Sequence, residues 1–220
     1  MHAQIPPSHT PGKPRGRPPG RRYRQPTAEE VAVLPFLSEQ VAMPLDQIAR
    51  LLGYSILDAT RFAQGLEEAG CIQSRRFLTN DYRWYWPSRR GLRLAETGFV
   101  YRQPGVTLLS HRRAINDVRL HLREKAPSGR WLSERIVYRR RVPGNQIPDA
   151  IFEIDGERHA LEVELSPKPA TKIRRIVAEH SERYDAAIYF CGPRTYALLR
   201  NVRAEGRWPK LVVSRLPLGE

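Results

Sequence analysis

Cysteine is nearly absent: the 220 residues include only Cys71 and Cys191, far apart and each inside an apolar stretch. So few thiols exclude a disulfide framework and a cysteine-held zinc site, and they suit a reducing compartment. No run of 18 apolar residues occurs, and the N-terminus lacks the apolar segment of a secretory signal. The expectation is a cytoplasmic protein with no membrane partner. Lysine is scarce too, outnumbered by arginine 32 to five, a bias that a GC-rich genome produces as readily as a need for bidentate phosphate contacts. The first 26 residues hold no acidic side chain at all.

What is present is positive charge. The net charge of +14 and pI near 10.4 point to a polyanionic partner, because neutralising phosphates releases counterions and drives binding. The excess is divided between the first 26 residues and the C-terminal half, while the middle is close to neutral. Residues 1–26 hold seven of the 19 prolines and almost nothing to bury, which predicts an extended, mobile tail. Within it, "KPRGRPPGRR" contains RGRP and resembles an AT-hook. Pro14 and Pro18 would keep the backbone extended, Gly16 would lie against the groove floor, and Arg15 and Arg17 would enter the narrow minor groove of A·T-rich DNA. Arg21 and Arg22 would add phosphate contacts. A generic basic arm is the competing reading.

Residues 27–105 read as a helical module. Thr27 with Glu30 has capping-box spacing, although Pro35 interrupts that helix. "PLDQIARLLGY" is a short helix ended by Gly53. "SILDATRFAQGLEEAGCI" is a second, with Ile56, Ala59, Phe62, Ala63 and Leu66 inward and Gly70 as its stop. Two helices across a glycine turn fit a helix-turn-helix, with Ser55, Asp58, Arg61 and Gln64 of the second facing outward. "IQSRRFLTNDYRWYWPSRRG" then predicts a hairpin around Asn80-Asp81, the wing of a winged helix. Arg75, Arg76 and Arg83 would contact phosphates, and Trp84 and Trp86 would be core. A protein-docking or dimerisation role for such a module stays open.

Residues 106–220 alternate helices and strands, predicting a mixed sheet. "HRRAINDVRLHLRE" is helical, "RWLSERIVYRRRV" reads as a strand, and "IPDAIFEIDGERHALEVEL" reads as a hairpin turning at Asp155-Gly156. Each pair then sums to 311, so Asp149 lies opposite Glu162, and Glu164 shares their face. Ala150, Phe152, Ile154, Leu161, Val163 and Leu165 fill the other face. Three carboxylates so close need a cation, and Mg²⁺ or Mn²⁺ is a natural occupant. A solvated hairpin edge is the bland alternative.

"PD" at Pro148-Asp149 followed by "EVE" at Glu162–Glu164 resembles the PD-(D/E)xK nuclease core. That resemblance implies Asp149 and Glu162 as metal ligands, with Glu134 on the first strand nearby. Glu164 stands where the signature lysine belongs, and Lys168 or Lys172 would have to supply that cation in its place. The whole arrangement, with His111 and Asn116 opening the helix before the sheet, resembles the replication-relaxation family of mobile elements. The implied fold is α+β: a tail (1–26), a winged helix-turn-helix (27–105) and a restriction-endonuclease-like αβ domain with a mixed sheet (106–220). The implied role is DNA binding in a bacterial nucleoid, with double-stranded DNA, a second copy or replication and relaxation proteins as partners. Two other functions stay open, a Mg²⁺-dependent endonuclease acting through Asp149, Glu162, Glu164 and Lys172, and a winged-helix transcription regulator.

Overall fold

The computed structural model describes residues 23–77, 82–140, 144 and 146–217. The AT-hook-like stretch (Arg15, Gly16, Arg17, Pro18, Arg21, Arg22) and the Asn80-Asp81 turn lie outside the described residues.

The N-terminal half runs α1 (Ala28–Gln40), β1 (Met43–Pro44), α2 (Leu45–Leu52), α3 (Ile56–Glu68), β2 (Ile72–Arg76), β3 (Arg83–Pro87) and α4 (Arg89–Leu94). Thr27 caps α1 through the predicted box: its side chain accepts from the Glu30 amide, and the Glu30 carboxylate accepts from the Thr27 amide at 2.8 Å. Arg24 extends this lock by pairing with Glu30. Pro35 sits inside α1 without ending it, and the helix stays anchored because Leu34 and Leu37 are fully buried.

Gly53 closes α2 in the left-handed conformation (φ 67°), where a side chain would be strained. On α3, Ala59, Ala63 and Leu66 face the core, but Ile56 does not: it is 55% exposed in the first turn, beside Leu57. The predicted inward stripe therefore begins one turn later, at Ala59.

The three strands pair antiparallel in the order β1-β3-β2. Strand β3 is central and buried on both faces. Tyr85 joins the core of the helices, while Trp84 and Trp86 pack on the other side with Ala42 and Leu109.

The C-terminal half comprises a 3-10 turn (Val106–Leu108), α5 (Leu109–Lys125), β4 (Arg130–Ser133), α6 (Glu134–Arg139), β5 (Ala150–Ile154), β6 (Glu157–Glu164), α7 (Ala170–Arg183), β7 (Ala186–Cys191), α8 (Pro193–Ala204) and β8 (Leu211–Arg215). The long strand read in "RWLSERIVYRRRV" is only four residues. Glu134 starts α6, where a carboxylate suits the positive end of the helix, and Ile136 and Val137 pack with Leu132, Ile151 and Tyr184. The sheet order is β4-β5-β6-β7-β8, antiparallel through β6 and parallel beyond it, so the sheet is mixed.

Helix α5 belongs to both halves. Ala114, Ile115 and Val118 pack on the sheet face made by Ala150, Phe152, Leu161 and Val163, while Leu120 enters the N-terminal core. The fully buried Asn116 donates to the Ala42 carbonyl at 3.0 Å and to Gln47 Oε1 at 2.8 Å. It thereby fixes the turn at Val41, a β-branched residue held at φ 71°. Arg113–Asp46, Arg50–Glu124 and Arg119–Glu39 ring this joint.

Candidate functional site

The predicted hairpin register holds: Ile154 pairs with Glu157 and Ala150 with Leu161, across a turn in which Asp155 (φ 52°) and Gly156 (φ 83°) both take positive φ. Asp149 directly precedes β5, and Glu162 and Glu164 lie on β6 at the same end of the sheet. Neither glutamate is a solvated edge residue. Both are buried, because β7 pairs alongside β6 and α7 covers that face.

Each of the three carboxyl groups has its own protein partner. Asp149 Oδ2 accepts from the Val163 amide at 2.8 Å, and its Oδ1 lies 3.0 Å from His111 Nε2. Glu162 Oε1 lies 2.7 Å from Nε2 of His180, a fully buried residue of α7. Glu164 pairs with Lys168. The hydrogen bond to Asp149 holds the His111 imidazole above its ordinary pKa despite partial burial. Burial pushes the Glu162 carboxyl well up, with Asp149 adding to the effect. Burial also pulls His180 down to about 4. Burial works against the Lys168 charge as well, but Glu164, backed by Glu162 and Asp149, raises it above the usual lysine value. The Tyr189 phenol, paired in register with Glu162, is buried and pushed up by the same desolvation.

The cation that the sequence left between two lysines is therefore Lys168. Lys172 is exposed on α7 and forms no ion pair among the described residues. Glu134 also departs from the group. Its amide donates to the Asp149 carbonyl at 3.0 Å, but its carboxylate turns to Arg112 at 3.1 Å. His111 and His180 are the residues that sequence reasoning placed elsewhere or passed over. His180 lies on α7 with Ile173, Ile176 and Val177, which pack against the sheet.

As a cradle for Mg²⁺ or Mn²⁺ this arrangement does not fit. Hard cations need several open carboxylate or carbonyl oxygens. Here both oxygens of Asp149, one of Glu162 and one of Glu164 already face an amide, two imidazoles and an ammonium, and Glu134 faces a guanidinium. Among the described residues no group of three or more metal-ligating side chains converges.

The candidate nucleic-acid contacts lie on the N-terminal half. Arg61 and Gln64 are exposed on α3, with Arg61 leaning 3.3 Å from Asp58. Ser55 and Asp58 are exposed at the start of α3, where Ser55 Oγ accepts from the Asp58 amide at 3.1 Å and caps the helix. On the β2–β3 ribbon Arg76 pairs across from Arg83, and Arg83 donates to Ser74 at 3.0 Å. Arg75 lies on the opposite face, over the Phe77 ring. None of these three arginines forms a salt bridge among the described residues, and all three are exposed.

Neither a family model nor a curated protein matches the chain. Among solved structures, one described as PigF with SAH matches at 14% identity over 87% of this chain and 56% of that one, with a TM-score of 0.23. The chain thus spans little over half the length of that protein, and a TM-score of 0.23 carries no argument about fold or ligand.

Proposed function

We propose that the chain is a DNA-binding protein of a mobile element or genome-maintenance system. In this reading the tail and the N-terminal module grip A·T-rich double-stranded DNA, and the αβ half is a nuclease-like scaffold that does not cut. The observation that carries the proposal is the β2–β3 ribbon, on which Arg75, Arg76 and Arg83 are exposed and form no salt bridge among the described residues, together with the exposed Arg61 and Gln64 of α3. The order α1-β1-α2-α3-β2-β3 with sheet order β1-β3-β2 supports a winged helix-turn-helix. The mixed sheet with Asp149, Glu162 and Glu164 at one end supports a restriction-endonuclease-like ancestry, and the protein partners that answer each carboxyl group support a scaffold role. The same reading places the protein at the nucleoid, as a homodimer or with replication and relaxation proteins.

A metal-dependent endonuclease is the second reading, and one observation favours it. Lys168 supplies at the carboxylates the cation that the Glu164 position lacks. Incubation with supercoiled plasmid and Mg²⁺ or Mn²⁺ separates the two. The expected outcome is a gel shift with the plasmid still supercoiled. Nicking that Asp149→Ala abolishes would overturn the scaffold reading.

A further inference from the structure

Helix α8 and the edge strand β8 form a cationic face that the tail, α3 and the ribbon do not account for. Tyr196, Arg200 and Arg203 recur at i, i+4 and i+7, so they share one side of α8. The core residues Thr195, Leu199 and Val202 point elsewhere. That side turns toward β8, because the Tyr196 ring lies under the guanidinium of Arg215, the last residue of β8, at 5.2 Å. Arg200 approaches the same ring at 6.0 Å.

Arg200, Arg203 and Arg215 are all exposed, and none forms a salt bridge among the described residues. The sole carboxylate between residues 193 and 217 is Glu205, and it is bound by Arg174 of α7 at 2.6 Å on the other flank of the helix. Arg194, Arg207 and Lys210 add further charge at the two ends of α8. Among the described residues this stripe is uncompensated, and a polyanion would offset its self-repulsion. From Tyr196 to Arg203 it spans about 10 Å along the axis, enough to face roughly three phosphates of one DNA strand. Contact of both guanidinium groups with the one tyrosine ring limits the rotamer freedom the two arginines would lose on binding.

We propose that this α8–β8 edge is a second DNA-backbone contact, separate from the N-terminal module and indifferent to base sequence. The proposal rests on the DNA-binding reading above. Its test compares full-length wild type, R200Q/R203Q, and a control with the same charge change, R123Q/K125Q, whose sites lie on the exposed end of α5 across the sheet. Duplex affinity is read by fluorescence anisotropy over a salt series, with thermal melts to verify folding. R200Q/R203Q should bind A·T-rich and G·C-rich duplexes about tenfold more weakly at low salt, with the slope of log K against log salt reduced by about two. The control should keep the wild-type slope. A variant that matches wild type, or a control that falls equally far, overturns the second contact while leaving the DNA-binding reading intact. A wild type that binds no duplex overturns both. If R200Q/R203Q fails to fold, R215Q alone is the substitute, with a slope reduction of about one expected and an unchanged slope overturning the proposal.

Discussion

Single residues here act mostly as answers to other residues. Glu30 is the clearest instance: its carboxylate takes the Thr27 amide and the Arg24 guanidinium at once. Burial works against its charge, but Arg24 and the Thr27 amide outweigh burial and hold the carboxyl below its ordinary pKa. A depressed carboxylate contributes stability above its unfolded value and loses it as pH falls through the folded one. Glu30→Gln should therefore lower stability by about 1 kcal/mol near neutral pH, with the deficit shrinking below about pH 4.5. Denaturant melts of both proteins at neutral and acid pH check this, and a constant deficit would refute it. The capping box was legible because its two members sit three residues apart. The partnership of Glu162 with His180 was not, because 18 residues separate them and only the placement of α7 over β6 joins them.

Elements were readable where period and turn chemistry agreed. Asp155-Gly156 fixed the β5–β6 register from residue types alone, and Gly53 and Gly70 marked the ends of α2 and α3. The failure fell at α6, where Arg135-Ile136-Val137 is compatible with either period and packing on Leu132, Ile151 and Tyr184 decides for a helix. Helix α5 serves two cores, and the buried Asn116 amide ties it to the N-terminal half. Asn116→Ala should leave the Ala42 carbonyl and Gln47 without that donor and cost about 2 kcal/mol, an unsatisfied-group penalty. A drop in melting temperature without a shift in far-UV helicity is the expected signature. No drop would mean that water or Gln47 itself takes over the bonds.

At the scale of the whole molecule, charge is the most legible property and cooperation between the halves the least. The tail, the ribbon and the C-terminal half each showed their arginines in sequence, but which arginines are neutralised depended on contacts such as Arg113–Asp46 and Arg119–Glu39 that cross between halves. If the tail reads the minor groove, Arg15→Ala with Arg17→Ala should weaken binding to A·T-rich duplexes more than to G·C-rich ones. Competition with duplexes of both compositions measures this, and an equal loss for both would identify a generic arm. Strand β3 sets a limit on how any such complex is built. With Tyr85 committed to one core and Trp84 and Trp86 to another, the ribbon has no free face by which to swing. A duplex seated on Arg76 and Arg83, which share one face of the ribbon, would meet the five-stranded sheet at one angle, and the molecule would act on DNA as a fixed bracket and not as a hinge.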